Sequence, residues 1–407
     1  AYYPQEEGQE KKALADTQIR VFPITINGYE KPDSRLITVR ADSSTVVKFY
    51  YRKLAAGTEK TAEEQENDDQ GLSMELQKKI LEALEQGSST NYTIEEVIYT
   101  LHKNEDGTLT IRLNGSTGQE KLVIPDVIKV AGKTLTITEI AEKAFYGQCE
   151  LKEVVMGSGI TKIGKSAFED CRKLKKVNIG NNVTVIEESA FKNCAALERI
   201  TISEAVLRIG SHAFEGCKKL KSLVLKEGLL QIGNKAFYKC SALKNVKIPG
   251  SVLQIGKYAF ADCKKIGKFS FAQNASLMRI GDGMLQNASS LSKIKLPGRL
   301  RSIPDHTFRN AVKLENCQIG SSVTKIGNSA FQGCKKLQRL ILPGQVQTIG
   351  KRTFYQCKKL KKVTIRTVQL RKIGKEAFKG CASKIQFAVP KGKQTVYAKL
   401  LKGKYGK

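Results

Sequence analysis

A unit of 23 residues recurs along most of the chain and constrains the fold more than any other feature. Its plainest copy runs from Ile163 to Val185, and one phenylalanine marks each copy. The first six phenylalanines stand 23 residues apart, at Phe145, Phe168, Phe191, Phe214, Phe237 and Phe260. The spacing then slips by two residues, Leu285 takes the phenylalanine's place, and the series resumes at Phe308, Phe331, Phe354 and Phe378. A fixed period of this length, in eleven copies, predicts a solenoid in which each unit buries its apolar side against its neighbours.

The spacing inside each copy predicts one strand and one return segment. In the copy that begins at Cys240, the apolar residues Val246 and Ile248 lie two apart, as in a strand with one buried face. Stacked copies would form a parallel sheet with strands about 4.8 Å apart, and period and spacing together are typical of leucine-rich repeats. In the Ile-Gly-x-x-Ala-Phe half, the glycine after the isoleucine predicts a tight bend or a positive φ. This glycine recurs at Gly164, Gly210, Gly233, Gly256, Gly281, Gly327, Gly350 and Gly374.

The array is irregular at one place. Between Cys263 and Ile280 the chain gains two residues, and the next copy has Met284 and Leu285 in place of Ala-Phe. This predicts a local bulge or a change of curvature, and the alternative is a bulge that binds a ligand.

The full motif, Ile-Gly-x-x-Ala-Phe-x-x-Cys-x-x-Leu-x-x-Val-x-Ile, resembles the leucine-rich repeats of the BspA family of bacterial surface proteins, of the Treponema pallidum type. The resemblance covers roughly residues 93–407, and Phe387–Leu401 is similar to the family's closing strand and capping helix. It implies an α/β fold, namely a curved right-handed leucine-rich-repeat solenoid of about eleven repeats with a parallel β-sheet.

The amino-terminal part follows a different pattern. Short alternating apolar runs between residues 16 and 54, separated by turn residues, predict a small, mostly β domain before the solenoid. Within it, residues 28–51 resemble the closing half of the mucin-binding-protein domains of Gram-positive cell surfaces. The predicted organisation is a β-rich segment at 1–55, an acidic linker and short helix at 56–90, a cap hairpin with a partial repeat at 91–140, repeats at 141–383, and a cap strand and helix at 384–407.

The net charge of +30 is divided unevenly. Residues 1–125 carry 15 Lys/Arg and 21 Asp/Glu, whereas the remainder carries 54 and 18. The net positive charge therefore lies in the repeat array, and its electrostatic field would attract a polyanion. The alternative is that lysine only fills solvated positions of the repeats.

The ten cysteines follow the period. Eight stand three residues after the marker phenylalanine: Cys171, Cys194, Cys217, Cys240, Cys263, Cys334, Cys357 and Cys381. One cysteine at a fixed place in each unit indicates a small buried apolar residue, although disulfides would be an option in an exported protein. The paired C-x₂-C spacing of metal sites does not occur in the sequence.

The sequence offers little for catalysis. It contains three histidines, which stand apart from one another, and no phosphate-binding loop or H-E-x-x-H motif. We expect no enzyme and no cofactor or metal. No run approaches the ~18 apolar residues that would cross a bilayer, and the first residues lack the pattern of a signal peptide, so we expect a mature or trimmed form.

The best candidate for recognition is the row of outward-facing strand residues. The residue before each buried strand valine points outward, and six of ten such places are basic. In leucine-rich repeats the exposed sheet face commonly binds partners. The candidate ligand-binding residues on this face are Lys176, Arg199, Asn245, Lys268, Lys293, Arg339 and Lys362.

These features predict a secreted or cell-surface interaction protein of a Gram-positive bacterium that adheres to a host protein or an acidic glycan. One alternative is a structural spacer without a ligand, and another is a nonspecific polyanion binder. Specific nucleic-acid binding is not expected, because few aromatic residues accompany the lysines and no known module is recognisable. The sequence makes no prediction of the oligomeric state.

Overall fold

The structure is a computed structural model that describes residues 133–404 continuously. Before them it describes residues 18–21, 29–30, 35–38, 52–53, 78, 82, 91–94, 97–103, 109–116 and 118–130. The chain divides into two units, Ala1–Asn67 and Asp68–Lys407.

In the first unit, four short strands are described: β1 (Gln18–Val21), β2 (Tyr29–Glu30), β3 (Arg35–Thr38) and β4 (Arg52–Lys53). Strand β1 pairs antiparallel with β3, and β2 pairs antiparallel with β4. Most of the segment that resembles mucin-binding domains lies outside the described residues, and that resemblance stays a prediction.

The second unit begins with the described helical residues Lys78 and Glu82, which form an ion pair with Nζ and Oε1 3.9 Å apart. The rest of the predicted short helix lies outside the described residues. Six strands follow: β5 (Asn91–Ile94), β6 (Val97–Lys103), β7 (Leu109–Ser116), β8 (Lys121–Ile124), β9 (Val127–Val130) and β10 (Lys133–Ile140). Strand β5 pairs antiparallel with β6. Two glutamates, Glu95 and Glu96, stand between these strands, and glutamate is depleted in strands.

From residue 153 onward, each repeat contributes one long and one short strand. The long strands are β11 (Glu153–Met156), β13 (Lys176–Asn178), β15 (Arg199–Ile202), β17 (Ser222–Leu225), β19 (Asn245–Ile248), β21 (Lys268–Phe271), β23 (Lys293–Lys295), β25 (Asn316–Gln318), β27 (Arg339–Leu342), β29 (Lys362–Ile365) and β31 (Gln386–Ala388). The short strands are β12 (Lys162–Ile163), β14 (Val185–Ile186), β16 (Arg208–Ile209), β18 (Gln231–Ile232), β20 (Gln254–Ile255), β22 (Arg279–Ile280), β24 (Ser302–Ile303), β26 (Lys325–Ile326), β28 (Thr348–Ile349) and β30 (Lys372–Ile373).

The two kinds of strand form two separate stacks of parallel strands, which we name the long-strand sheet and the short-strand sheet. The strand pairing is interrupted between β13 and β15 and between β25 and β27 in the long-strand sheet, and between β22 and β24 in the short-strand sheet. Strand β8 continues the long-strand sheet, and β10 joins the short-strand sheet to the β5–β7 hairpins. The predicted parallel solenoid is therefore confirmed, and the short-strand sheet is an addition that the sequence did not indicate. The segment between a short strand and the next long strand consists of turns, and the one complete described helix, α1 (Gln394–Leu401), closes the carboxyl end.

The turns that follow the short strands are also hydrogen-bonded from repeat to repeat. The N–H of Phe145 donates to the carbonyl of Ala167 at 2.7 Å, and Phe168 donates to Ala190 at the same distance. Seventeen residues other than glycine have positive φ in these turns, for example Ser166 at 52° and Asp170 at 62°. This left-handed backbone redirects successive N–H groups toward the neighbouring repeat, which satisfies them without a helix.

The marker phenylalanines form the centre of the core. From Phe145 to Phe260 their rings stack with centroids 5.0–5.2 Å apart. Leu285 interrupts this ladder, and Phe269 packs edge-on against Phe260 there, at 5.2 Å and 76°. Each ring is almost completely buried, so its apolar surface is a major contribution to the stability of the array.

The recurring glycine has a different cause from the one expected. The prediction of a positive φ at Gly164 and its equivalents is wrong, because none of these glycines has a positive φ. The constraint is the close approach of successive backbones: a Cβ on Gly164 would lie 2.5 Å from the Ile140 carbonyl oxygen. At the same position the Gly164 N–H donates to that carbonyl at 2.8 Å.

The predicted burial of the cysteines is correct for most of the series. Each thiol of the series donates to the phenylalanine carbonyl of the preceding repeat, as Cys194 does to Phe168 at 3.2 Å. All ten cysteines are free thiols. Burial raises the pKa of the Cys171 thiol to about 12, so this thiol stays protonated and unreactive near neutral pH.

A glycine pair tests the close approach of the backbones. Gly233→Ala should destabilise the protein by about 1–3 kcal/mol, because the new Cβ would lie 2.5 Å from Gly210 C and Ser211 N. Gly267→Ala is the control, since its Cβ meets nothing within 4 Å. Urea unfolding should show a lower midpoint for Gly233→Ala alone, and equal midpoints for the two variants would contradict the explanation.

Thiol labelling tests the burial of the cysteine ladder. In the native protein at pH 8, iodoacetamide should modify Cys149, which is exposed, much faster than the buried thiols. The modified positions are read by peptide mass spectrometry, and Cys149→Ser should remove the fast phase. Fast modification of Cys194 or Cys240 in the native state would show that the ladder is open to solvent.

Candidate ligand-binding face

The predicted row lies on the outer face of the long-strand sheet. Lys176, Arg199, Asn245, Lys268, Lys293, Arg339 and Lys362 are each the first residue of their strand, and all seven are exposed. The alternation arises from the strand period: in β19 the side chains of Val246 and Ile248 are buried, while Asn245 and Lys247 are exposed. Parallel pairing in register then aligns equivalent residues, for example Lys268 beside Lys293 and Arg339 beside Lys362.

The positive charge is concentrated in the carboxyl-terminal half of the array. Residues 126–228 contain 17 Lys/Arg and 13 Asp/Glu, whereas residues 229–407 contain 37 and 5. Most of the field that the composition predicted therefore comes from the repeats after β17.

Among the described residues, Lys176 is the one basic residue of the predicted row with an ion-pair partner. In the first half, Lys176 Nζ lies 3.8 Å from Glu153 Oε2 in the preceding strand. The salt bridges of the described chain contain no partner for Lys268, Lys293 or Arg339. Aligned like charges without carboxylates repel one another, so an acidic ligand bound there would relieve the repulsion.

Two open cavities lie side by side on this face. One, of about 780 Å³, lies over β23 to β29, and the other, of about 930 Å³, lies over β21 to β25. Their linings overlap, and we name the two cavities together the basic groove. Its basic and amide residues are Lys268, Gln273, Lys293, Lys295, Asn316, Gln318, Gln338, Arg339 and Arg366. Its lining also contains one carboxylate, Glu315, whose Oε1 lies 3.5 Å from Lys336 Nζ.

Three of the seven predicted residues, Lys268, Lys293 and Arg339, are brought together in the basic groove. Lys362 stands beside Arg339 in register but lines neither cavity. The other three, Lys176, Arg199 and Asn245, lie on β13, β15 and β19, away from the groove.

Several groove residues are absent from the predicted set. Lys295 and Gln318 occupy the second outward position of their strands, which the sequence shows as a mixed row. Arg366 follows the last residue of β29, and its outward position depends on where that strand ends. The alternation of residues along the strand therefore does not predict that Arg366 lines the groove.

The groove is suited to an acidic ligand. Lysine ammonium groups act as mobile point charges, and the Arg339 and Arg366 guanidinium groups can bind a carboxylate or sulfate through two parallel hydrogen bonds. The side-chain amides of Asn316 and Gln318 add donors and acceptors for hydroxyl groups.

The described residues contain no candidate metal site. In that part of the chain, no three His, Cys, Asp or Glu side chains form a group suited to a metal ion. His212 contacts Glu215 within its own turn, and this pair lies outside the basic groove. Among the helices that the structure describes, none is long and apolar enough to span a bilayer.

Comparison with known proteins identifies the repeats. The family model of the BspA type leucine rich repeat region matches residues 138–267 and 278–404, which is more than half of the chain. A search of proteins with curated descriptions gave no match.

Solved structures with a similar fold include a leucine-rich repeat protein from Bacteroides ovatus, which is 25% identical over 74% of this chain and 100% of its own, with a TM-score of 0.38. A leucine rich cell surface protein from Faecalibacterium prausnitzii is 22% identical over 77% and 98%, with a TM-score of 0.42. The pneumococcal vaccine antigen PcpA is 20% identical over 78% and 96%, with a TM-score of 0.48.

Because all three TM-scores are below 0.5, the assignment depends on the sequence family and on the repeat geometry described above. The two agree from β10 to α1 except at residues 268–277, which the family model does not match and where the period slips. The protein belongs to the family of BspA-type leucine-rich-repeat proteins, a family of non-enzymatic repeat proteins.

Proposed function

We propose that the protein is a secreted or cell-surface interaction protein that adheres to an acidic glycan or matrix protein of its host through the basic groove. The observation that carries the proposal is the groove itself, where Lys268, Lys293 and Arg339 converge without carboxylate partners among the described residues. The BspA-type repeats support a role in recognition, since leucine-rich repeats present an exposed sheet face to partners.

The shape of the groove favours a polymer. Both cavities are open to solvent and lie across strands that follow one another along the solenoid axis. Neighbouring strands are about 4.8 Å apart, so the stretch from β21 to β29 extends about 20 Å. A chain with acidic groups at intervals would contact several strands at once, which raises its effective concentration at each.

The second group of lysines provides a contrast. Lys264, Lys335 and Lys358 are exposed in the turns before the long strands and line neither cavity. If net charge alone attracted the ligand, these turn lysines would contribute as much as the groove lysines. The proposal requires that they contribute much less.

A charge-reversal pair tests the proposal. The triple variant Lys268→Glu, Lys293→Glu and Arg339→Glu should weaken binding to a heparin-derived sulfated oligosaccharide at least about tenfold, or about 1.4 kcal/mol. The measurement is made at about 0.15 M salt, where screening is effective beyond about 8 Å.

The matched control, Lys264→Glu, Lys335→Glu and Lys358→Glu, changes the net charge by the same amount and should weaken binding much less. Equal losses in the two triple variants would indicate nonspecific attraction of a polyanion. Absence of binding by the unaltered protein to sulfated glycans, mucin and matrix proteins would favour a spacer without a ligand.

A further inference from the structure

A second basic surface lies on the short-strand sheet. Its lining adjoins that of the basic groove, since Gly298 lines the groove and Arg299 lines the second surface. Strands β22 and β24 are consecutive in this sheet, yet they are not paired by hydrogen bonds, whereas the other steps from β10 to β30 are paired. An open cavity of about 670 Å³ lies at this interruption. Its lining consists of Met278, Arg279, Arg299, Arg301, Ser302 and Ser322.

The three arginines of this cavity stand closer together in the sequence than is usual for arginine in this region of the chain. All three lie within the single stretch 279–301, whereas residues 209–278 contain no arginine. Their side chains are exposed, and no described carboxylate forms an ion pair with them. An arginine stays protonated at any physiological pH, and its planar fork fits the paired oxygens of a phosphate or sulfate group.

An apolar strip leads into the same cavity. Leu207, Leu230, Leu253 and Met278 occupy equivalent places in four successive repeats, with 46%, 42%, 39% and 53% of their surface exposed. They adjoin directly, since the N–H of each donates to the carbonyl of the one before at 2.9–3.0 Å. At about 4.8 Å per step, the strip is about 15 Å long.

The strip has defined ends. The equivalent place is polar before it, at Thr161 and Thr184, and is Arg301 directly after Met278. Four exposed apolar residues, joined through backbone hydrogen bonds, therefore end at a cavity lined by three arginines. Scattered apolar residues are common on protein surfaces, but a contiguous row next to a charged cavity indicates an interaction site.

We propose that this surface, which we name the arginine-leucine site, binds an anionic amphiphile with a phosphate or sulfate ester headgroup and an aliphatic chain. Arg279, Arg299 and Arg301 hold the headgroup, and the chain lies along the strip from Met278 toward Leu207. The ligand class follows from the order of the features, with charge at one end and about 15 Å of apolar surface beyond it.

Two other occupants fit less well. A second copy of the chain would bring another net charge of +30 against the same arginines. An extended peptide would hold its own N–H and C=O groups against leucine side chains that cannot pair with them.

The probes are alkyl phosphates that share one headgroup and differ in chain length. Calorimetric titration of the full chain, below the micelle concentration of each probe, should show saturable binding of decyl phosphate. Because a fully buried methylene contributes roughly fourfold in affinity and the strip covers one side of the chain, each methylene should add roughly twofold. Butyl phosphate and inorganic phosphate should therefore bind much more weakly, and decyl maltoside, which lacks the charge, should also bind weakly.

Two variants and their controls separate the two halves of the site. Arg301→Gln should weaken binding of decyl phosphate at least about tenfold, whereas Arg371→Gln, at the equivalent place of a later repeat, should not. Leu253→Ser should weaken binding of decyl phosphate but not of butyl phosphate, and Val368→Ser, another exposed apolar residue, should change neither. All four side chains are exposed, so the urea midpoints should be unchanged.

The proposal is overturned if decyl phosphate does not bind, if butyl and decyl phosphate bind equally, or if Arg371→Gln has the same effect as Arg301→Gln. It is independent of the proposed function. The groove variant with Lys268, Lys293 and Arg339 changed to glutamate should still bind decyl phosphate, and Arg301→Gln should still bind the sulfated oligosaccharide.

Discussion

The stacking of one repeat on the next is the interaction on which the whole structure depends. At each step the backbones approach so closely that a Cβ at Gly164 would overlap the Ile140 carbonyl. Most steps also carry the strand pairing of both sheets and hydrogen bonds between the turns, and the first six repeats stack their phenylalanine rings 5.0–5.2 Å apart. Because each repeat contacts only its neighbours, stability is close to a sum over these steps.

This stacking divides the residues of the repeat into two groups. Residues that face the neighbouring repeat, such as Phe214, Cys217 and Leu220, are fully buried and nearly invariant from copy to copy. Residues that face solvent are free to vary. The basic groove and the arginine-leucine site both lie near the place where the period slips, and both are built from residues that the repeat does not determine.

The sequence predicted the features that follow from the period alone. The marker phenylalanines, the buried thiols and the outward position of residues such as Lys293 are all consequences of one repeating spacing. The short-strand sheet was not predicted, because a two-residue strand such as Lys162–Ile163 is too short to show an alternating pattern. The left-handed turns were not predicted either. The residues that adopt a positive φ include serine, lysine and histidine, which share no sequence pattern that indicates this conformation.

Assembly of the candidate site could be predicted from the sequence only in part. Lys176 and Lys293 occupy the same place in their repeats, but Lys176 has Glu153 beside it in the stack, and Lys293 has Lys268. The charge environment of each lysine therefore depends on which residue stands beside it in the preceding repeat. Arg366 is a further case, since its place at the groove depends on where β29 ends.

The most direct measurement of the central claim, that an acidic polymer binds in the basic groove, is lysine footprinting of the full chain with a sulfated oligosaccharide. Lysines are acetylated with and without the ligand, and the extent of modification at each position is read by mass spectrometry. Strong protection of Lys268, Lys293 and Lys295, with little change at Lys176 and Lys335, is the predicted result. Equal protection of Lys176, or protection spread evenly over the turn lysines, would contradict the account.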